Sequence, residues 1–238
     1  MKKRFLFIVI LLLLLILPLH GDFKIIKENR YTVHYDPSLN LFSLEYVLKL
    51  LKNTDEKFLT KFSVTNTNAI NLYLYNDTIK FMFEQKAMWW ENYRLKPDSV
   101  AINNIELFLQ KNSLHDLLDY VLFKLDLLNL YKDRLSTWFI NGVAIYYSES
   151  TLFKNGSYKF SSLQEMTNKL NKYQSKEEME SANYYCYKSI KYLADQYGEE
   201  KILQYLNMKK DLKEFENGFF NFFGISYNEF IQFSLKLQ

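Results

Sequence analysis

The spacing of hydrophobic and polar positions changes several times along this chain, and each change predicts an element. Near the middle, Leu114, Leu117, Leu118, Val121, Leu122 and Leu125 recur three and four residues apart, which predicts an amphipathic helix within residues 112–128 with one buried face. A second apolar run, from Trp138 through Ala144 to Tyr147, predicts another helix within residues 135–150. Upstream, residues 22–109 read as an α/β unit. Lys24–Tyr35 is largely strand, Leu41–Phe62 a helix with Leu44, Val47, Leu48 and Leu51 inward, and Asn68–Tyr75 an alternating strand. Thr78–Tyr93, carrying Phe81, Phe83, Trp89 and Trp90, is expected to be helical, and Ser99–Phe108 a further strand.

Residues 110–238 read as mainly helical. Thr151–Ser181 is a polar connection with a short helix or hairpin, and its run Lys176-Glu177-Glu178-Met179-Glu180 is expected to be solvated. Ala182–Tyr197 is a helix stopped by Gly198, with three further helices and a second stop at Gly224 expected beyond it. The pattern thus predicts an α+β chain with one domain over 22–238.

Residues 1–21 stand apart. Lys2, Lys3 and Arg4 precede the uninterrupted apolar run Phe5–Leu17, and Pro18, Leu19 and Gly21 permit cleavage before Asp22, the layout of a signal peptide. If uncleaved, residues 5–19 would anchor the chain to the membrane. Either way the expected location is beyond the cytoplasmic membrane, periplasmic or membrane-anchored. This segment holds three of the 30 basic residues and none of the 27 acidic ones, so the remainder balances 27 against 27 and gives no reason to expect nucleic-acid binding. The single cysteine, Cys186, cannot form an internal disulfide and reads as a small buried side chain. The 19 Tyr and 20 Phe read as core filling rather than a glycan or nucleic-acid platform.

The candidate chemistry lies in the two central helices. His115 and Asp119 are four residues apart, so both project from one flank where a single metal could touch them. Asp116 follows His115 as the general base follows the first ligand in an H-E-x-x-H zinc motif. The second helix, Trp138-Phe139-Ile140-Asn141-Gly142-Val143-Ala144-Ile145-Tyr146, resembles the W-[LF]-x-E-G-x-A-x-Y signature of the peptidase MA-like (gluzincin) metallopeptidases, with Asn141 at the position of the third-ligand Glu. Arg30–Pro37, Ala69–Tyr75, Tyr192–Ile202 and Phe223–Ser226 resemble further pieces of that family in the same order.

The resemblance implies a gluzincin, thermolysin-like core, in which an N-terminal mixed sheet with helices precedes a mainly helical half. It also implies metal positions at His115, Asp119 and Asn141 and a base position at Asp116. Three of these four differ from the family pattern, because Asp replaces Glu at 116, Asp replaces His at 119 and Asn replaces Glu at 141. An Asn carbonyl is a poor substitute for a carboxylate on zinc. The expectation is therefore a non-catalytic domain without a cofactor, binding a peptide, envelope protein or glycan in the inherited cleft, with Ala101–Leu107 as the strand that would pair with a peptide.

Other readings predict other behaviour. One is a working zinc-dependent peptidase with an unusual ligand set, which Glu106 or Glu149 could complete; another is a structural, membrane-associated protein. Each polar residue also has an ordinary structural reading. Ser113 with Asp116 fits a capping box, and Asp119 and Asp126 fit a solvated helix flank.

Overall fold

The computed structural model describes residues 22–153, 155–161, 163–208, 218–219, 221–226 and 229–230. The expected targeting segment, residues 1–21, lies outside them, as does most of the stretch beyond residue 208. The coarse architecture is α+β, with a mixed five-stranded sheet followed by a helical half.

The sheet begins with a hairpin. Lys24–Glu28 (β1) pairs antiparallel with Tyr31–Tyr35 (β2), so the single strand expected over Lys24–Tyr35 is broken, and Asn29 at φ 51 makes the break. Helix α1, Leu41–Phe62, has the expected bounds; the Asn40 side chain caps its first turn and Ser63, at φ 54, ends it. Ile70–Leu74 (β3) lies parallel to β2. Helix α2 is short, Thr78–Gln85, because Lys86 takes a left-handed φ of 51 and closes it. The residues after Lys86, expected to continue that helix, instead turn into strand β4, Tyr93–Lys96.

Strand β4 forms a hairpin with β5, Ser99–Ile102, and β5 also lies parallel to β3. The expected strand Ser99–Phe108 ends early because Asn104, at φ 47, caps a new helix, α3, Ile105–Gln110. The sheet order is β1-β2-β3-β5-β4. Ala101 therefore has neighbours on both sides and Leu107 is helical, so the expected pairing strand Ala101–Leu107 has no free edge. The free edge on that side of the sheet belongs to β4.

Helices α4 (Leu114–Tyr131), α5 (Thr137–Ser148), α6 (Leu163–Asn171), α7 (Lys176–Tyr197) and α8 (Glu199–Asn207) build the second half. Among the described residues no helix is long and apolar enough to cross a membrane. Helix α7 starts at Lys176, not Ala182. The acidic run forms its first turn, where negative charge suits the helix dipole. Glu178 is buried there and accepts from Lys169 at 2.7 Å, so this part of the run is not solvated. Gly198, at φ 85, separates α7 from α8.

One continuous core runs from Tyr31 in the sheet to Phe230, and much of the aromatic content lies in it. Trp138, Phe139, Tyr205, Phe219 and Phe230 pack ring against ring, with Phe219 and Phe230 centroids 4.9 Å apart. Helix α4 is central to this core. From Leu117 to Leu127 it is buried on nearly every side, so the single buried face read from its pattern is too narrow. Asp126 is consequently not on a solvated flank: it is 1% exposed and is held by Arg30 Nη1 at 2.8 Å, Arg30 Nη2 at 2.6 Å and Asn66 Nδ2 at 2.8 Å.

Candidate functional site

The β4 edge borders a cavity of about 580 Å³ that is also lined by residues of α4, by Leu152 and Phe153, and by residues of α6 and α7. In the antiparallel β4–β5 ladder, Asn92 accepts from Asn103 N at 2.9 Å, so alternate residues bond inward. Tyr93 and Leu95 accordingly turn their backbone N–H and C=O groups outward along the edge.

A buried polar network lies beside this cavity. Asn141, fully buried on α5, donates through Nδ2 to Asn183 Oδ1 on α7, and its Oδ1 accepts from Tyr120 Oη at 2.9 Å. Tyr120 Oη also lies 3.0 Å from Tyr93 Oη and accepts from Lys124 Nζ at 3.3 Å. Asn183 Nδ2 donates to the Met179 carbonyl at 2.8 Å, completing the amide's bonding. Gly142 makes this packing possible. A Cβ there would stand 2.4 Å from the Cys186 carbonyl oxygen, so only glycine lets α5 approach α7 this closely.

Burial governs the titration of the network. It pushes the Tyr120 hydroxyl well above the ordinary tyrosine range, and Tyr93 and Tyr173 nearby push in the same direction. Burial also lifts the Cys186 thiol to about 12, against smaller opposite effects from Asn141 and Lys124. Neither group ionises near neutral pH, so neither serves as base or nucleophile there. The network instead offers fixed dipoles and one ammonium group.

The other sequence-derived positions have different partners. Asp119 faces α1, where its oxygens accept from Thr54 Oγ1 at 2.5 Å and Lys57 Nζ at 3.1 Å. His115 is exposed, with Nε2 3.2 Å from Asp116 Oδ1. The other Asp116 oxygen accepts from Thr151 Oγ1. Ser113 makes no side-chain cap, so the capping box expected of Ser113 and Asp116 does not form. Glu149 pairs with Lys57 at 3.5 Å and Lys61 at 3.4 Å, and Glu106 accepts from Asn40 at 3.0 Å.

The side chain of α4 that meets Asn141 is thus Tyr120, one position beyond Asp119. His115, Asp119 and Asn141 are each committed to separate partners, and both ends of the Asn141 amide are occupied. As arranged, this donor set does not suit zinc, which takes four ligands around one point. Among the described residues, no group of three or more His, Cys, Asp or Glu side chains is placed to hold a metal ion.

No family model and no curated protein matches the chain.

Sequence reasoning missed Tyr120, Asn183, Lys124 and Tyr93. A signal for the first was present: Tyr120 lies four residues after Asp116 and so on its flank of the helix. Asn183 falls in a helix read from a later starting point, and nothing in its sequence neighbours marks it as a partner of Asn141.

Proposed function

We propose that this chain is an exported protein with a peptidase MA-like scaffold that binds an extended peptide segment of an envelope partner beside β4 and does not hydrolyse it. The observation that carries the reading is the outward edge of Tyr93 and Leu95 over a cavity of about 580 Å³. An extended chain laid there would continue the sheet through main-chain hydrogen bonds, with its side chains entering the cavity on alternate positions. Metal-dependent hydrolysis would need a base within reach of a metal-bound water. The chemistry of the donors disfavours it: at the position resembling the third ligand, a neutral amide is closed into bonds with Tyr120 and Asn183. Export, and any anchoring by residues 5–19, follows from the sequence pattern of residues 1–21.

The test uses a fluorophore-labelled pool of extended decapeptides and the full-length chain in detergent, read by anisotropy. Binding is expected, and Leu95→Pro is expected to weaken it severalfold, because proline removes an outward N–H while edge strands tolerate it. Equal binding by Leu95→Pro and wild type would remove β4 from the account.

A further inference from the structure

The cavity beside β4 contains a positive charge that its own walls leave without a counterion. Lys124, on α4, is only 8% exposed and lines the cavity. Its ammonium donates to Tyr120 Oη at 3.3 Å and forms no ion pair with any of the described residues. The acids on the cavity wall are engaged elsewhere. Glu91 accepts from Arg94 Nη2 at 2.6 Å and from the Met88 backbone N–H, and Glu180 pairs with Lys176 at 3.5 Å. On the same lining, the Tyr173 hydroxyl is buried and has no acceptor for its proton; the Asn183 amide nearby bears on its oxygen only as a donor.

Both features are unfavourable as they stand. A buried ammonium needs an anion, and a buried hydroxyl needs an acceptor. A carboxylate meets both needs, since it carries one negative charge and offers two acceptor oxygens. A phosphate fits less well: Arg94 gives Nη2 to Glu91 and keeps only a buried Nε without a partner, and Lys172 on the lining is exposed, which leaves Lys124 as the one buried ammonium for a doubly charged group.

We infer that this cavity binds a carboxylate of the peptide that lies along β4, with Lys124 as its charged anchor and Tyr173 as a hydroxyl donor. The inference rests on the peptide-binding reading above and adds the chemistry of the anchor. The carboxylate can be the peptide's C-terminus or a Glu side chain, and the two are separable.

The experiment measures anisotropy of four labelled, N-acetylated decapeptide pools with the full-length chain: free acid or C-terminal amide, each with and without a central Glu. Peptides bearing a carboxylate are expected to bind about tenfold more tightly than the amide pool without Glu. Lys124→Met is expected to abolish that gap, and Lys124→Arg to retain most of it. Tyr173→Phe removes only a hydroxyl, so it guards against misfolding of the lysine variant, and it is expected to narrow the gap severalfold. A gain from the free acid identifies the C-terminus as the source; a gain from Glu in the amide pool identifies the side chain. Equal binding of all four pools, unaltered by Lys124→Met and Tyr173→Phe, would overturn the anchor while leaving β4 binding intact. Binding of none would overturn the peptide-binding reading and the anchor with it.

Discussion

Replacing Gly142 by Ala tests the packing that creates the site, because the expected sign is opposite to the usual one. In an ordinary helix interior, Gly→Ala stabilises by about 1 kcal/mol. Here the new methyl would meet the Cys186 carbonyl oxygen at 2.4 Å, Ile190 Cγ1 at 2.6 Å and the Cys186 carbonyl carbon at 2.9 Å. Ile190 can rotate away, but two of the three contacts are backbone of α7, so the helices must separate. Overpacking of this kind costs roughly 1–3 kcal/mol, and the upper end applies where backbone must yield. Separation also stretches the Asn141–Asn183 bond, worth about 1 kcal/mol more. With the helix gain subtracted, the net loss is about 2–3 kcal/mol, a fall in Tm of roughly 5–10 °C for a domain of this size. Thermal melts by circular dichroism measure it. The companion change Ile190→Ala should not restore stability, since the Cys186 carbonyl remains. A Tm for Gly142→Ala equal to or above wild type would refute the close approach of α5 and α7.

Three further outcomes are expected. Arg30→Met removes the cation that holds Asp126, leaving a buried carboxylate unpaired, at a cost of roughly 3–5 kcal/mol by urea denaturation near neutral pH. Burial already raises the folded pKa of Asp126, and losing Arg30 raises it further; the penalty is absent below the unfolded pKa and grows as pH rises through the folded one, so the deficit should shrink in acid, and a deficit independent of pH would contradict this. Cys186, fully buried with its thiol lifted to about 12, should not react with a disulfide reagent at pH 8 until the chain is unfolded, and immediate labelling of the native protein would show the α5–α7 interface to be open. Asp119→Ala, which removes the bonds to Thr54 and Lys57, should cost about 1–2 kcal/mol yet leave peptide affinity unchanged; a large loss of affinity without loss of stability would return Asp119 to the site.

The parts of the fold that could be read from sequence are those whose local signals agree with their surroundings. Helix α1 has one apolar stripe, a good cap at Asn40 and a clear end, and its bounds match the pattern. Helix α4 was identifiable, but its orientation was not, because a helix buried on nearly every side carries no contrast between its faces. That is why Asp119 and Asp126 look like ordinary solvated acids in sequence, while their partners are Thr54, Lys57 and Arg30 on distant segments. The early ends of α2 and β5 depend on left-handed residues, Lys86 and Asn104; Asn hints at such a conformation, whereas Lys does not. At the site, Asn141 and Gly142 stand out because of their signature-like context. Lys124 stands out only once the structure shows the cavity beside it and the absence of a partner acid among the described residues.

The most direct test of peptide binding without hydrolysis is hydrogen–deuterium exchange on the full-length chain with an extended decapeptide pool and added zinc, with the peptide masses read from the same samples. The account predicts slower exchange at Tyr93 and Leu95, no change at β1 on the opposite sheet edge, and peptides of unchanged mass. Zinc-dependent cleavage of the pool, or protection that leaves β4 untouched, would contradict it.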